Sequence, residues 1–334
     1  MNTKASGGDT PPCIVQFQHR KDEFSIDRCD ARRVDLFPVR WNRGGHRRRL
    51  VGHYGEFVKG GACDKGELSF WTEWEANTLA RNLSPLSYCG CAKRIHYVES
   101  PLCGDASSEK EVQGGTVDCT GDASKYLNTD PCVFGKSFKY SNCKQNATYA
   151  LKNLPPGSLI IFGSIHETRY YLDTVFVVAD GPIVYETSLT GIRHVQCSPE
   201  YKELTFKRLL STSPQEFAFY RGRVFEKGGK LPFSFTPAYK FSSNDRKSAI
   251  YNSEVNSAQC RKRCVIDLSK LNDIAMKYGS PRDAFDIKRT RPTTVTRSNP
   301  ECIESVWNEI VIQVQSDTNG MVLGTYFDWP EQTH

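Results

Sequence analysis

Two tryptophans three residues apart, interleaved with glutamates, stand in Phe70-Trp71-Thr72-Glu73-Trp74-Glu75. An indole wall beside a carboxylate can sandwich a flipped base and accept its amino protons, which makes Trp71, Trp74 and Glu73 candidates for base recognition. A second constellation runs Asn128-Thr129-Asp130-Pro131-Cys132-Val133-Phe134-Gly135 and on to Tyr140-Ser141-Asn142-Cys143-Lys144-Gln145. The proline stiffens the backbone that carries Asp130, and a carboxylate so held can orient water as a general base or stabilise a cationic sugar. Asn142 and Gln145 offer a donor and an acceptor on one amide, the chemistry that reads a base edge. Each group also has a structural use. The tryptophans can split between core and surface with both acids solvated, and the Asp-Pro step can be an Asx turn before a capped helix. A third group is His166-Glu167 with Asp173. Asp173 sits between Leu172 and Thr174 in a stretch of buried character, where a carboxylate needs a partner, and Arg169 is the nearest candidate along the chain. A structural ion pair and a catalytic acid both remain open there.

Charge points to the ligand class. The formal net charge is +6, unevenly spread: eight arginines (28, 32, 33, 40, 43, 47, 48 and 49) face only Asp30 and Asp35 between Arg28 and Arg49, with no lysine. The planar guanidinium forks onto phosphate and stacks on bases, so nucleic acid, DNA in the first instance, is the expected partner, with Arg47, Arg48 and Arg49 as its phosphate contacts. A solvated charged face is the alternative. Serine-hydrolase, P-loop, Rossmann, kinase and zinc-deaminase signatures are missing. An enzyme here is therefore expected to be a hydrolase without cofactor. Thirteen cysteines without a signal-like apolar leader suggest reduced thiols and a cytoplasmic protein. Cys89-x-Cys91 with His96, and Cys260-x3-Cys264, have ligand-like local spacing, but neither has a second pair, and no metal is expected. No apolar run approaches the roughly 20 residues of a membrane span, and nothing marks an obligate protein partner.

The elements that must position these residues read as strands with few helical periods. Hydrophobic residues at 38% and charged at 25% allow a sizeable core. Residues 1–12 read as a disordered leader, 13–334 as a single α+β domain, and 99–125 as an exposed insertion rich in Ser, Gly, Asp and Glu. Strands are expected at Ile14–Phe17, Leu68–Trp74, Ser158–Gly163, Tyr170–Ala179, Ile183–Glu186 and Gly320–Phe327, with a second extended segment after the Gly44-Gly45 turn and further segments at Phe206–Leu210, Phe217–Tyr220 and Leu231–Pro237. Asn142–Leu154 suits a short helix that Pro155-Pro156-Gly157 stops, and Val306–Val314 suits a helix or a strand. Short turns between the three central strands argue for an antiparallel sheet or small barrel, within a β-rich mixed fold with peripheral helices.

Leu151-x2-Leu154-Pro155-Pro156-Gly157-Ser158-Leu159-Ile160-Ile161-Phe162-Gly163, followed by Leu172–Val178, resembles the central strand pair of PUA-like barrels, the group that includes ASCH and EVE domains. It is also similar to the Gly-Asp-Leu-Phe-Leu-Phe-Phe-Gly stretch of a nucleotide-modification-associated domain, with Ser158 where that pattern has an acid. The match covers about a fifth of the chain and its motifs are hydrophobic. The Asp130-Pro131 loop is similar to the water-activating Asp-Pro-aromatic motif of uracil-DNA glycosylases, but differs in spacing and lacks that family's histidine motif. The Trp-Asn…His-Arg-Arg, Phe-Trp-x-Glu-Trp-Glu and Asn-Thr-Asp-Pro segments are similar to ones in bacterial proteins of no assigned activity. The resemblance implies a PUA-like core and a modified-base context such as phage defence. The reading is a DNA-associated protein that recognises a base, either as a hydrolytic glycosylase with Asp130 or Glu73 orienting water, or as a binding or interaction module.

Overall fold

The run Leu159-Ile160-Ile161-Phe162 has no polar face to offer water, so a strand built from it must be covered on both sides. The computed structural model describes residues 11–19, 39–40, 47–74, 79–80, 95–97, 111–112, 115–116, 129–141, 145, 148–166, 168–206, 210, 213–240, 263–289, 291–297, 299–316 and 320–328. At 19, 39–40, 47–53, 74, 79–80, 95–97, 111–112, 115–116, 149, 166, 203–204 and 296–297 it describes the backbone course alone. The strands are β1 Cys13–His19, β2 Val39–Arg40, β3 Arg47–Lys59, β4 Ala62–Trp74, β5 Leu79–Ala80, β6 Ile95–Tyr97, β7 Glu111–Val112, β8 Gly115–Thr116, β9 Lys139–Tyr140, β10 Leu159–His166, β11 Arg169–Val177, β12 Ile183–Glu186, β13 Glu216–Arg221, β14 Thr236–Lys240, β15 Cys264–Ile266, β16 Thr293–Arg297 and β17 Val322–Phe327. The helices are α1 Leu189–Arg193, α2 Pro199–Tyr201, α3 Leu268–Lys277 and α4 Pro300–Gln315.

β10 is central to a five-stranded sheet ordered β15-β11-β10-β1-β16. Its alternate residues enter two separate cores. Ile160 and Phe162 join Val15, Phe17 and Phe176, whereas Leu159 and Ile161 join Ile14, Val175 and Val177. The second core is roofed by α3 and α4, whose Cys302, Ile303, Val306, Trp307, Ile310 and Val314 recur at helical spacing along one buried stripe. Asn299 caps α4 by accepting from the Glu301 and Cys302 amides at 2.9 and 3.3 Å, and Pro300 follows in the first turn, where its missing N–H costs nothing. The Trp307 indole donates to the Phe233 carbonyl at 2.9 Å, so a large side chain is buried without an orphan donor. Val306–Val314 is thus helix.

The other sheets depart from a simple meander. β10 and β11 form the expected antiparallel pair, yet β10 also runs parallel to β1, a partner from far upstream. Ile183–Glu186 leaves that sheet: β12 pairs with β13, which pairs with β9, in a three-stranded sheet. The Ala179 amide is taken by the Arg221 carbonyl at 2.9 Å, which diverts the chain there. A third sheet runs β17-β14-β4-β3-β6, with β17 also pairing back onto β3. The fold is therefore mixed α+β and sheet-rich, and the five-stranded sheet that holds the β10–β11 pair does not close on itself. Two expectations shift. Of the helix over Asn142–Leu154 only a 3-10 turn at Tyr149–Leu151 is described, and the strand expected from Leu231 begins at Thr236, after Pro232 and the Ser234–Arg223 backbone bond. Residues 1–10 and most of 99–125 lie outside the described residues. No helix among the described residues is long and apolar enough to cross a membrane.

Candidate nucleic-acid interface

The arginine-bearing and tryptophan-bearing strands owe their position to a turn. Gly60 and Gly61 both have positive φ, 57° and 77°, the conformation a two-residue hairpin turn demands and that residues with a side chain resist. They join β3 to β4 in a ribbon of 13 residues per strand, about 40 Å long at ~3.3 Å per residue. Near the turn the ribbon is fixed by β17, with Leu323 opposite Val58 and Gly324 opposite Phe57. Further along, Phe70 stacks on Phe327 with ring centroids 3.7 Å apart. The far end carries the candidate residues, and its register is continuous: Arg47 faces Trp74, Arg48 faces Glu73, Arg49 faces Thr72 and Leu50 faces Trp71. With a side-chain period of two, the Arg48 and Glu73 positions share a face with Leu50 and Trp71. The side chains of Arg47, Arg48, Arg49 and Trp74 lie outside the described residues. β6 lies parallel to β3 here, with Leu50 opposite Ile95, so the arginine strand is flanked on both sides.

Asp130 arrives at the same place from a different part of the chain. Its amide donates to the Glu73 carbonyl at 3.0 Å, and the peptide bond to Pro131 is cis. The loop behind it is tightly organised. Thr129 Oγ1 donates to the Pro131 carbonyl at 2.6 Å and accepts from the Val133 amide at 3.1 Å. Cys132 and Lys139 exchange backbone bonds of 2.9 Å, and Lys139 Nζ donates to the carbonyls of Phe134 and Ser137. Gly135 and Phe327 tie the loop to β17 through a 2.8 Å bond. Thr129 thus acts as a turn cap in this loop. Trp71, Glu73 and Asp130 are 6%, 2% and 2% exposed, so this junction is a buried seam.

The other candidates separate from it. Gln145 is fully buried, and its amide is committed to the backbone: Nε2 donates to the Ala218 carbonyl at 2.9 Å and Oε1 accepts from the Ala218 amide at 2.8 Å. It cannot read a base without abandoning β13, which corrects its expected role. Asn142 lies outside the described residues. Asp173 finds Arg263 instead of Arg169: the guanidinium donates to Asp173 at 3.0 Å and to Ser164 at 2.7 Å, and stacks 4.6 Å over the Tyr171 ring. Both side chains are almost fully buried, at 2% and 1% exposed. That closed arrangement is structural, and sequence distance hid it. Ser158, at the acid position of the resembled pattern, accepts from the Cys13 amide at 3.1 Å and so joins β10 to β1. Cys89, Cys91, Cys260 and Glu167 lie outside the described residues, among which no cluster of three or more His, Cys, Asp or Glu is placed to hold a metal. Burial pushes the Cys197 thiol up to about 11 and the Cys264 thiol up to about 12, which keeps both protonated at neutral pH.

Compared with protein-family models, curated proteins and solved structures, the chain matches none.

Proposed function

We propose that the chain binds nucleic acid, DNA in the first instance, at the arginine end of the β3/β4 ribbon. The carrying observation is the register that sets three consecutive arginine positions opposite Trp74, Glu73 and Thr72, with Asp130 hydrogen-bonded to Glu73. Phosphate supplies affinity through the arginines, and a base is read beside the tryptophans. A modified base is the ligand in this reading, which takes its context from the resemblance to PUA-like and nucleotide-modification-associated domains. The same reading places the protein in the cytoplasm on its cysteine usage. The test is a gel-shift titration of duplex and single-stranded DNA across salt concentrations. Replacing Arg47, Arg48 and Arg49 by alanine should weaken binding across sequences and lower the slope of log K against log salt by about one unit per lost phosphate contact. An unchanged slope removes the cluster as the phosphate anchor.

A second reading, a hydrolytic DNA glycosylase, is favoured by the backbone bond that brings the Asp130 and Glu73 residues together. Their 2% exposure requires the seam to open for water to reach either carboxylate, so binding without cleavage leads. An abasic-site assay on DNA carrying modified bases separates the two. If Asp130 orients water, Asp130→Asn keeps the fold and lowers the cleavage rate by about 10²–10⁴-fold. Full cleavage by the folded variant sinks the catalytic role, and no cleavage by the wild type on any base leaves the binding module.

A further inference from the structure

A cavity of about 710 Å³, within the range of ligand sites, opens beside the short strand β15. β15 is an edge: it pairs with β11 on one side, and among the described residues no strand lies on the other. The direction of its backbone groups follows from the next residue. Asp267, still extended, gives its amide to Gln313 Oε1 at 2.7 Å, and its carbonyl accepts from Gln313 Nε2 at 3.4 Å. The side-chain amide of α4 thereby imitates one peptide unit of a neighbouring strand. Backbone direction alternates with period two, so Val265, two residues earlier, also turns its N–H and C=O away from β11 toward the cavity.

We infer that this edge is a strand-addition site for an extended, acidic peptide segment of a partner protein. Main-chain pairing to Val265 continues the pattern that Gln313 has begun at Asp267. Apolar side chains of the peptide meet Val265 and Ile312, which are 37% and 63% exposed and line the cavity with Ile287. Charge selects the acid. The exposed Arg169 stands on the wall, Lys270 beside it is paired with Glu309 at 3.9 Å, and Asp267, the single acid among the lining residues, is turned inward to Ser269, accepting from its hydroxyl at 2.6 Å and its amide at 2.9 Å. An exposed edge of this kind is a template for pairing that proteins otherwise cover or blunt.

The experiment is fluorescence anisotropy on the full chain with a labelled peptide of alternating valine and glutamate. Two controls have equal length: alternating valine and lysine, and the acidic peptide with proline at every second position. The acidic peptide should bind, and each control should bind at least about tenfold more weakly, the scale of one or two lost hydrogen bonds or a lost charge contact. Val265→Pro deletes the outward N–H on an edge where proline is tolerated, and should weaken binding about tenfold. Arg169→Glu should weaken the acidic peptide and favour the lysine one. The Arg47/Arg48/Arg49 alanine variant should bind the peptide as the wild type does. Equal binding of the proline control, unchanged binding in both edge variants, loss in the triple arginine variant, or no binding at all would each overturn the assignment. If Val265→Pro unfolds by circular dichroism, Arg169→Glu and the proline peptide decide.

Discussion

Two regions of the described residues set arginine against carboxylate in different ways, one as a buried side-chain pair and one as a strand register. At the start of β15, Arg263 lies inside the protein with Asp173, Ser164 and the Tyr171 ring, a set that uses its charge within the fold. At the end of the β3/β4 ribbon, Arg48 is set opposite Glu73 while Arg47 and Arg49 are set opposite Trp74 and Thr72, so one of three successive arginine positions has an acid across the strand pair. A buried pair in balance does little beyond holding its neighbours, because any ligand would have to separate charges already desolvated together. A strand end with surplus guanidinium attracts an outside anion. Residue type is the same in both; the ratio of arginine positions to the carboxylates set against them differs.

That contrast is open to experiment. The largest effect is expected at the balanced site: Arg263→Ala leaves Asp173 buried without its cation and should cost about 3–5 kcal/mol in urea unfolding. The DNA affinity of whatever remains folded should not change, and a parallel loss of affinity would erase the distinction between the regions. Gln145→Ala should follow at roughly 1–3 kcal/mol, since it strips both polar groups of Ala218 of their partner. It too should leave salt-dependent DNA binding untouched, and a base-selective loss would return Gln145 to the recognition set.

The smallest effect belongs to Asp267, an acid at the surface. Its bond from the Ser269 hydroxyl, more than that from the Ser269 amide, holds its carboxyl below the usual aspartate range. A folded-state pKa below the unfolded one means the stabilisation is complete above the unfolded pKa and is lost as pH falls through the folded one. Asp267→Ala should therefore cost about 1 kcal/mol at neutral pH through loss of the α3 cap. The gap between variant and wild type should close on acidification, and a constant gap in melting temperature down to acid pH would show that charge is irrelevant there.

Local signals located several strands and missed others, β15 and β16 among them. Ile183–Glu186 is bounded as the apolar pattern suggests, and Ile14–Phe17 and Leu68–Trp74 lie within β1 and β4. What local pattern could not supply was pairing between distant segments. The β1–β10 parallel pair joins strands more than a hundred residues apart, and no turn residue announces it. Arg263 was invisible as the partner of Asp173 for the same reason, and Arg169, closer in sequence, is exposed instead. Asp130 and Glu73 were alternatives for one role in the sequence, and the backbone bond that joins them follows from a strand pairing that the Gly60-Gly61 turn sets up. Gln145 was misread because an amide that clamps a backbone and one that reads a base look identical in sequence.

The dependence of the ribbon on β17 has a consequence in time. β17 gives the ribbon its pairing near the turn, stacks Phe327 on Phe70, and takes the Gly135 amide of the Asp130 loop. It begins at Val322, 248 residues after β4 ends at Trp74 (322 minus 74). At about 5–20 residues per second of synthesis, that interval is roughly 12–50 s. Through it the ribbon has its arginines and tryptophans but neither its clamp nor the Phe327 ring. Until then Phe57, Leu68 and Phe70 lack that cover, although β6 can pair with β3 and β14 with β4 as soon as each has been made. The ribbon's turn end and the Asp130 loop are therefore completed together and late, when the strand between Val322 and Phe327 docks.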